Sequence, residues 1–268
     1  MSKYTLGFIG TGNMGGALAF AASKTTKSIL LSNRTSNKAD ILASDLGCIS
    51  AGSDNNKVAS ESKYLFIGVK PQYVAKVLSD LSPVLKNRTD RFIVVSMVAG
   101  VTIDKMQKMI GIECPVIRIM PNTPCKISQG ITLYCTSQSV TEDEEKEYTD
   151  IMSHSGYQNK ISENLMDAGS AIAGCGTAFA YMFIEALADG GVSIGLSKEQ
   201  SIEFAAKMMQ GAAAMALKTK ESPSTLKDAV CSPGGCTIAG VKALEDGAFR
   251  AACMNAVIAA YIRTTEIG

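Results

Sequence analysis

The chain has 268 residues, of which 46% are hydrophobic and 19% charged, and its formal net charge is +1 at pH 7. This length and composition predict a folded protein with a large apolar core, arranged as two domains or as one large one. The even charge balance provides no basic surface of the kind that binds nucleic acid or anionic membranes. We therefore expect neither nucleic acid nor a membrane as a partner.

The cysteines and the single histidine give no signature of a metal site. The eight cysteines are scattered without a C-x-x-C pair, and His154 is the only histidine, so zinc-ligand spacing is absent. The first predicted strand begins within a few residues of Met1, so we expect no targeting peptide and a cytoplasmic protein with reduced thiols. The apolar tract 168–196 contains Glu185 and Asp189 and is therefore predicted to be a buried helix rather than a membrane span.

The first fifteen residues carry the clearest functional signal. An apolar run over residues 3–9 leads into Gly10-Thr-Gly12-Asn-Met-Gly15, and an alanine-rich helical pattern follows. In a strand–turn–helix unit the first glycine permits the turn, the second lets a pyrophosphate approach the backbone, and the third lets the helix pack closely. The N-terminus of that helix attracts the anion. This pattern predicts dinucleotide binding, with an ordinary strand–helix turn as the alternative.

The end of the second predicted strand indicates which dinucleotide is bound. About twenty residues past the glycines, a protein that prefers NAD places Asp or Glu on the ribose 2′-hydroxyl. This chain has Asn33-Arg34-Thr35 there. The guanidinium can pair with a 2′-phosphate, and its two neighbours can donate hydrogen bonds. We therefore expect NADPH as the cofactor, with NADH as the second choice; the alternative is that Arg34 is an ordinary surface residue.

Strands and helices alternate through the first part of the chain. Further strands are predicted over 28–32, 64–69, 91–96, 115–120 and 130–135, with helices over 38–46, 72–85, 103–110 and 141–155. Thr141 followed by Glu144 predicts a capping box at the start of the last of these helices. The alternation implies a doubly wound parallel sheet that binds its ligand at the carboxyl ends of the strands.

The second part of the chain has a different pattern. Strand signals stop near residue 162, and helices rich in Ala, Met and Gly are predicted over 163–192, 198–219, 223–230 and 237–265. Several are apolar around most of their circumference, and about a hundred residues cannot cover such helices alone. We therefore expect a nucleotide-binding domain over 1–161 and an all-helical domain over 162–268 that packs against a second copy. The alternative is an unusually alanine-rich monomer core.

A second glycine-rich element lies in the helical half. Ser232-Pro-Gly-Gly235 breaks the helical pattern, and Cys236-Thr237 lead into the last long helix. Hydroxyls beside the free N–H groups of a helix N-terminus are suited to holding a carboxylate, although the element could also be only a connection between helices. Cys231 and Cys236 are expected to be small buried packing residues rather than a redox pair.

The residues around these two elements include no nucleophile paired with a base. A dinucleotide cofactor without an obvious general base favours hydride addition to an imine that is already protonated. In such a reaction the protein mainly orients the two reactants.

Several longer motifs together resemble one family. They are Gly7–Gly15, Val69–Pro71, Ser96–Val101, Arg118–Pro124, Gly174–Tyr181, Glu185–Asp189, Gly195-Leu196 and, most specific, Asp228–Ile238. Along essentially its whole length, the chain resembles the pyrroline-5-carboxylate reductase family. That resemblance implies a Rossmann-type domain followed by an all-α dimerisation domain. It also implies reduction of 1-pyrroline-5-carboxylate to L-proline with NAD(P)H, the last step of proline biosynthesis, by homodimers that in this family often form decamers.

The same resemblance implies a set of site residues. The cofactor would lie on Gly10, Thr11, Gly12, Asn13, Met14, Asn33, Arg34, Asn55, Val69, Lys70, Pro71 and Ala99. The substrate would lie on Ser232, Gly234, Gly235, Cys236 and Thr237, and no metal is implied. Thr237 is the expected catalytic residue, with its hydroxyl near the ring nitrogen.

Two positions depart from the family pattern. Residues 173–181 read Ala-Gly-Cys-Gly-Thr-Ala-Phe-Ala-Tyr where the family usually has Ser-Gly-Ser-Gly-Pro-Ala-Tyr, so the start of that helix is expected to differ. Cys236 stands where many members have Thr or Ala, and the role of its side chain is left open.

Two other functions compete with this interpretation. β-Hydroxyacid dehydrogenases share the order of domains, but their second domain carries G-x-G-x-x-x-K, and here Ala180 stands at the Lys position after Gly174-Cys-Gly176. That absence argues against an alcohol substrate. A non-catalytic regulator that binds NADP(H) would need the glycine loop but no substrate pocket over 232–237.

Overall fold

A computed structural model describes residues 2–267 of the chain. The strands are β1 (Tyr4–Ile9), β2 (Ile29–Ser32), β3 (Ile49–Ser50), β4 (Ser62–Ile67), β5 (Ile93–Ser96), β6 (Val116–Pro121), β7 (Gly130–Thr136) and β8 (Gly156–Lys160). The helices of the first half are α1 (Asn13–Ala22), α2 (Ser36–Leu46), α3 (Asn55–Glu61), α4 (Pro71–Lys86), α5 (Ile103–Ile110) and α6 (Glu142–Ile151). Those of the second half are α7 (Met166–Ala173), α8 (Gly176–Ser193), α9 (Lys198–Thr219), α10 (Pro223–Ala229), α11 (Cys236–Asp246) and α12 (Phe249–Ile267).

The strands form one sheet in the order β3-β2-β1-β4-β5-β6-β7-β8. Neighbouring strands are parallel except for β6 and β7, which are antiparallel. Only eight residues join these two strands, and a parallel crossover needs a dozen or more. The chain winds outward from β1 in one direction and from β4 in the other, so the doubly wound sheet predicted from the sequence is confirmed.

The sheet is buried on both faces. β2, β5 and β6 have no exposed residue, as expected of strands covered by helices on both sides. Successive side chains of β1 alternate between two core clusters, with Ile9 in one and Phe8 in the other. Phe8 stacks on Phe66 of β4 with ring centroids 4.3 Å apart. This packing fixes the central strands that carry the glycine loop.

Some predicted elements differ from the observed ones. β3, β8 and α3 were not predicted, because each is short and two of them lie at the edges of the sheet, where the apolar signal is weak. The helix predicted over 141–155 ends at Ile151 and is followed by a single 3₁₀ turn and β8. The helix predicted over 237–265 is two helices, since Ala248 has a φ of +54° at the break. The predicted capping box is confirmed, because the Thr141 hydroxyl and the Glu144 carboxylate each accept the other's backbone N–H.

The chain divides into two compact units that do not follow the predicted boundary. The first comprises residues up to Cys175 together with those from Ala260 onward, and the second comprises Gly176–Ala259. Met166 of α7 is fully buried in a core cluster of the first unit. A Cβ at Gly169 would lie 2.4 Å from Leu133 Cδ1, which shows how closely α7 packs on β7. The boundary predicted from the sequence, with a nucleotide-binding domain over 1–161 and a helical domain over 162–268, stays a prediction.

The second unit consists of helices that are exposed over most of their surface. Ala188 is the one buried residue of α8, and α11 and α12 have no buried apolar side chain among the described residues. The expectation that 168–196 forms a buried helix is therefore wrong for the single chain, in which this stretch is divided between α7 and the largely exposed α8. By length and composition alone, the helical stretch Glu163–Ser193 is long and apolar enough to cross a membrane.

Candidate active site

The glycine loop after β1 is shaped by close backbone contacts. Gly10 has a φ of +96°, and a Cβ on it would lie 2.6 Å from the carbonyl oxygen of Gly68. A Cβ on Gly15 would lie 2.1 Å from the carbonyl oxygen of Gly10. Nothing lies within 4 Å of the Cβ position of Gly12. Gly10 and Gly15 thus permit the fold of the loop, and Gly12 leaves space beside the loop for a ligand.

The start of α1 presents backbone hydrogen-bond donors that no described side chain caps. No side chain caps the helix at Gly12, and the first N–H groups of any α-helix lack intrahelical acceptors. The hydroxyl of Thr11 is buried and has no hydrogen-bond partner among residues 2–267. A pyrophosphate would satisfy these groups and would be favoured by the positive end of the helix dipole. The residues present therefore fit a dinucleotide.

Asn33, at the end of β2, connects two loops. Its side-chain Oδ1 accepts a hydrogen bond from the backbone N–H of Thr11 at 3.2 Å, and its Nδ2 donates to the carbonyl of Thr35 at 3.1 Å. Thr35 precedes α2 without capping it through its side chain. Asn33 therefore holds the glycine loop and the start of α2 in a fixed relation.

Arg34 extends from the same strand end. Its side chain is exposed, and its guanidinium carbon lies 5.4 Å from the centroid of the Tyr73 ring on α4. The cation is thus available to an anion at this edge and is already in contact with an aromatic ring.

The remaining predicted cofactor residues lie at the ends of neighbouring strands. Asn55 begins α3, and its Oδ1 accepts a hydrogen bond from the hydroxyl of buried Ser32 at 2.8 Å. Gly68 donates its backbone N–H to Ile9 at 2.9 Å, which places the segment 69–71 beside the glycine loop. Ala99 follows β5, the next strand in the sheet.

All the predicted cofactor residues therefore lie in the first unit, in the loops and helix starts that follow the carboxyl ends of β1 to β5. We call this side of the sheet the cofactor edge. Their contact with a cofactor stays a prediction. The sequence interpretation did not single out Gly68, Ser32 or Tyr73. A glycine directly after four buried strand residues is a usable signal of close backbone approach, whereas Tyr73 has no signal until the fold brings it to Arg34.

The predicted substrate residues form a tight turn in the second unit. Gly234 has a φ of +70°, and the backbone N–H of Gly235 donates to the carbonyl of Ser232 at 3.0 Å. No side chain caps α11, which begins at Cys236 with Gly235 as its N-cap residue. The side chains of Ser232, Cys236 and Thr237 are exposed in the single chain. The turn thus offers hydroxyls and free N–H groups at one helix start.

The cysteines differ from the sequence interpretation at one position. All eight are free thiols, and Cys231 is half-buried, but Cys236 is exposed and is not a buried packing residue. Cys236 is the first residue of α11. Over residues 2–267, no group of three or more His, Cys, Asp or Glu side chains could hold a metal ion.

The fold and its loops define a class of protein. A doubly wound sheet with Gly-x-Gly-x-x-Gly after its first strand belongs to dinucleotide-dependent oxidoreductases. Residues 5–100 match the family described as NADP oxidoreductase, coenzyme F420-dependent. Residues 163–267 match the family described as pyrroline-5-carboxylate reductase dimerisation.

Similarity over the full length identifies the family. The chain is 38% identical to pyrroline-5-carboxylate reductase of Pisum sativum, over 99% of this chain and 96% of the relative. It is 36% identical to pyrroline-5-carboxylate reductase 2 of Homo sapiens, over 98% of this chain and 83% of the relative. The chain belongs to the pyrroline-5-carboxylate reductase family.

Solved structures agree with this assignment. The crystal structure of Plasmodium falciparum pyrroline carboxylate reductase with NADP bound is 32% identical and covers 100% of this chain and 99% of its own, with a TM-score of 0.89. The reductase of Streptococcus pyogenes is 28% identical with a TM-score of 0.88, over 98% of each chain. The expected order of a Rossmann-type domain and a helical dimerisation domain is confirmed.

Proposed function

We propose that this chain reduces 1-pyrroline-5-carboxylate to L-proline with NADPH as the hydride donor, the last step of proline biosynthesis. The observation that carries the proposal is the turn Ser232–Thr237. The most specific motif of the family forms an uncapped helix N-terminus with two exposed hydroxyls beside it. Such a turn matches a small imino acid, which presents a carboxylate next to a ring nitrogen.

The first unit binds and orients the cofactor. The free N–H groups at the start of α1 and the hydroxyl of Thr11 hold the pyrophosphate, and Gly12 leaves room for it. Arg34 pairs with the ribose 2′-phosphate. Asn33 contributes mainly by holding the two loops together, because both functional groups of its side chain are hydrogen-bonded to the backbone. When bound, NADPH supplies the hydride.

The second unit binds and orients the substrate. The N–H groups at the start of α11 and the hydroxyl of Ser232 hold the carboxylate. The hydroxyl of Thr237 makes a hydrogen bond at the ring nitrogen and so fixes the plane of the C=N bond. The nitrogen of the imine is already protonated, so hydride addition at carbon gives the amine directly and the chain needs no general acid. Orientation of the two reactants is its main contribution.

The exposed helices of the second unit support a homodimer. Large apolar side chains lie exposed along α8, α9 and α12, including Tyr181, Met182, Phe204, Met215, Met254 and Ile258. Burying them against a second copy removes apolar surface that a monomer would leave in water. Assembly of dimers into a decamer, a cytoplasmic location and the lack of nucleic-acid or membrane partners are further predictions.

The test of the proposed function is NADPH oxidation by the purified protein, followed at 340 nm with and without 1-pyrroline-5-carboxylate. We expect oxidation that depends on both the protein and the imine, with proline as the product. Oxidation at the same rate without the imine would refute the proposal, and turnover of a 3-hydroxy acid would favour a β-hydroxyacid dehydrogenase instead.

A further inference from the structure

The end of β2 and the start of α4 are brought together by the sheet. Arg34 follows β2, and Tyr73 is the third residue of α4, on the other side of β1. The guanidinium carbon lies 5.4 Å from the ring centroid, which is within the range of a cation–π contact. Of the cation–π pairs in the described chain, this is the one whose cation stands at the predicted cofactor edge.

The backbone of Tyr73 is fixed at the start of α4. Its backbone N–H donates to the carbonyl of Lys70 at 2.9 Å, so the ring projects from the first turn of a helix that Pro71 begins. An exposed arginine side chain otherwise samples many rotamers, and ordering it on cofactor binding costs conformational entropy. A ring that already holds the guanidinium near its bound position reduces that cost.

We propose that Tyr73 is a positioning residue for cofactor specificity: its ring holds Arg34 at the place where the 2′-phosphate of NADPH binds. The inference rests on the proposed use of NADPH. Tyr73 acts through Arg34 and not through the adenine, which NADPH and NADH share. Removing the ring therefore weakens the binding of NADP⁺ and leaves that of NAD⁺ unchanged.

The test is the dissociation constant of each oxidised cofactor, measured by calorimetry on the full chain without substrate. Tyr73→Leu should weaken NADP⁺ binding about two- to fivefold, the loss expected of an exposed cation–π contact. Tyr73→Phe should keep the wild-type ratio of the two constants, because it keeps the ring. Tyr4→Leu is the matched control, since it removes the contact of that ring with Lys3 (5.4 Å) at the start of β1 and should leave the ratio unchanged.

The double variant separates this role from a merely structural one. In an Arg34→Ala background, Tyr73→Leu should cause no further change in the ratio of the two constants, because its partner is gone. An equal loss for both cofactors, a loss that persists without Arg34, or a Tyr73→Phe variant as weak as Tyr73→Leu would each overturn the proposal. Binding is measured without the imine, so failure here is distinct from failure of the proposed reaction.

Discussion

Asn33 accepts a hydrogen bond from the backbone N–H of Thr11, 3.2 Å from its Oδ1, and so ties the end of the second strand to the glycine loop. Asn33, the first residue after β2, thus shapes the surface on which a pyrophosphate would lie. A substitution after β2 can therefore alter binding of the whole dinucleotide as well as recognition of its ribose. At this site, a change in cofactor affinity can therefore come from a change in folding or from a lost contact with the ligand.

The glycines of the loop separate these two causes. Gly15→Ala should lower the free energy of unfolding by about 1–3 kcal/mol and weaken cofactor binding, because its Cβ would lie 2.1 Å from the carbonyl oxygen of Gly10. Gly12→Ala should leave the melting temperature nearly unchanged and still weaken binding, because its Cβ would enter open space where the pyrophosphate is proposed to lie. Thermal denaturation and cofactor titration check both. A Gly12→Ala protein that melts much earlier, or binds normally, would contradict this account.

Arg34→Ala should raise KM for NADPH about tenfold or more and leave KM for NADH nearly unchanged. A hydrogen bond to a charged group contributes about 1.5–3 kcal/mol, and only NADPH carries the 2′-phosphate. Steady-state kinetics with each cofactor provide the measurement, and Lys86→Ala, exposed in the last turn of α4, is a control for general loss of positive charge. Equal changes for the two cofactors would remove Arg34 from 2′-phosphate recognition.

Thr237→Ala should lower kcat about 10- to 100-fold while the affinity for NADPH stays within twofold. In the proposed function the hydroxyl contacts the substrate nitrogen and not the cofactor, and a lost hydrogen bond to a charged group accounts for a change of this size. Thr237→Ser keeps the hydroxyl and should retain most of the activity. Collapse of cofactor binding in Thr237→Ala would show that the residue has another role.

Two impaired variants should together recover activity when they are combined in one dimer. If each active site combines the glycine loop of one copy with the Ser232–Thr237 turn of another, co-expressing Gly12→Ala with Thr237→Ala gives heterodimers with one intact site. Activity should then exceed the sum of the separate variants and approach half that of the wild type in purified heterodimers. Sites built from a single chain would show no gain on mixing.

The loss of folding stability at low pH should depend on Glu144. Its carboxylate accepts hydrogen bonds from Arg91 and from the backbone N–H of Thr141, and these contacts lower its pKa from 4.5 to about 2. A carboxyl whose pKa is lower in the folded state stabilises the fold above its unfolded pKa, and the contribution is lost as the pH falls from about 4.5 towards 2. Glu144→Gln should therefore flatten the pH dependence of the melting temperature in that window. If the melting temperature of Glu144→Gln falls with pH as steeply as that of the wild type, the prediction is wrong and other carboxylates cause the loss of stability.

Local sequence patterns were enough to predict the elements whose conformation is set by particular residue types close together in the chain. The capping pair Thr141 and Glu144 and the close approach of Gly15 to Gly10 depend on neighbours within a few residues, and the buried runs of the central strands are visible as apolar stretches in the sequence. The short edge strands β3 and β8 were missed because their stability comes from pairing with β2 and β7, which are distant in the chain. The break at Ala248 was missed because alanine is a strong helix former, and its left-handed conformation depends on surroundings that propensity does not include.

The sequence by itself determined the class of fold, the dinucleotide loop and the family, because each follows from short-range sterics or from motifs read along the chain. The tertiary structure decided what those residues do to one another. It joins Asn33 to Thr11 by a hydrogen bond, places Tyr73 of α4 against Arg34, and leaves the helices of the second unit exposed. Those relations join residues on different elements, and only the winding of the sheet and the packing of its helices bring them within a few ångströms.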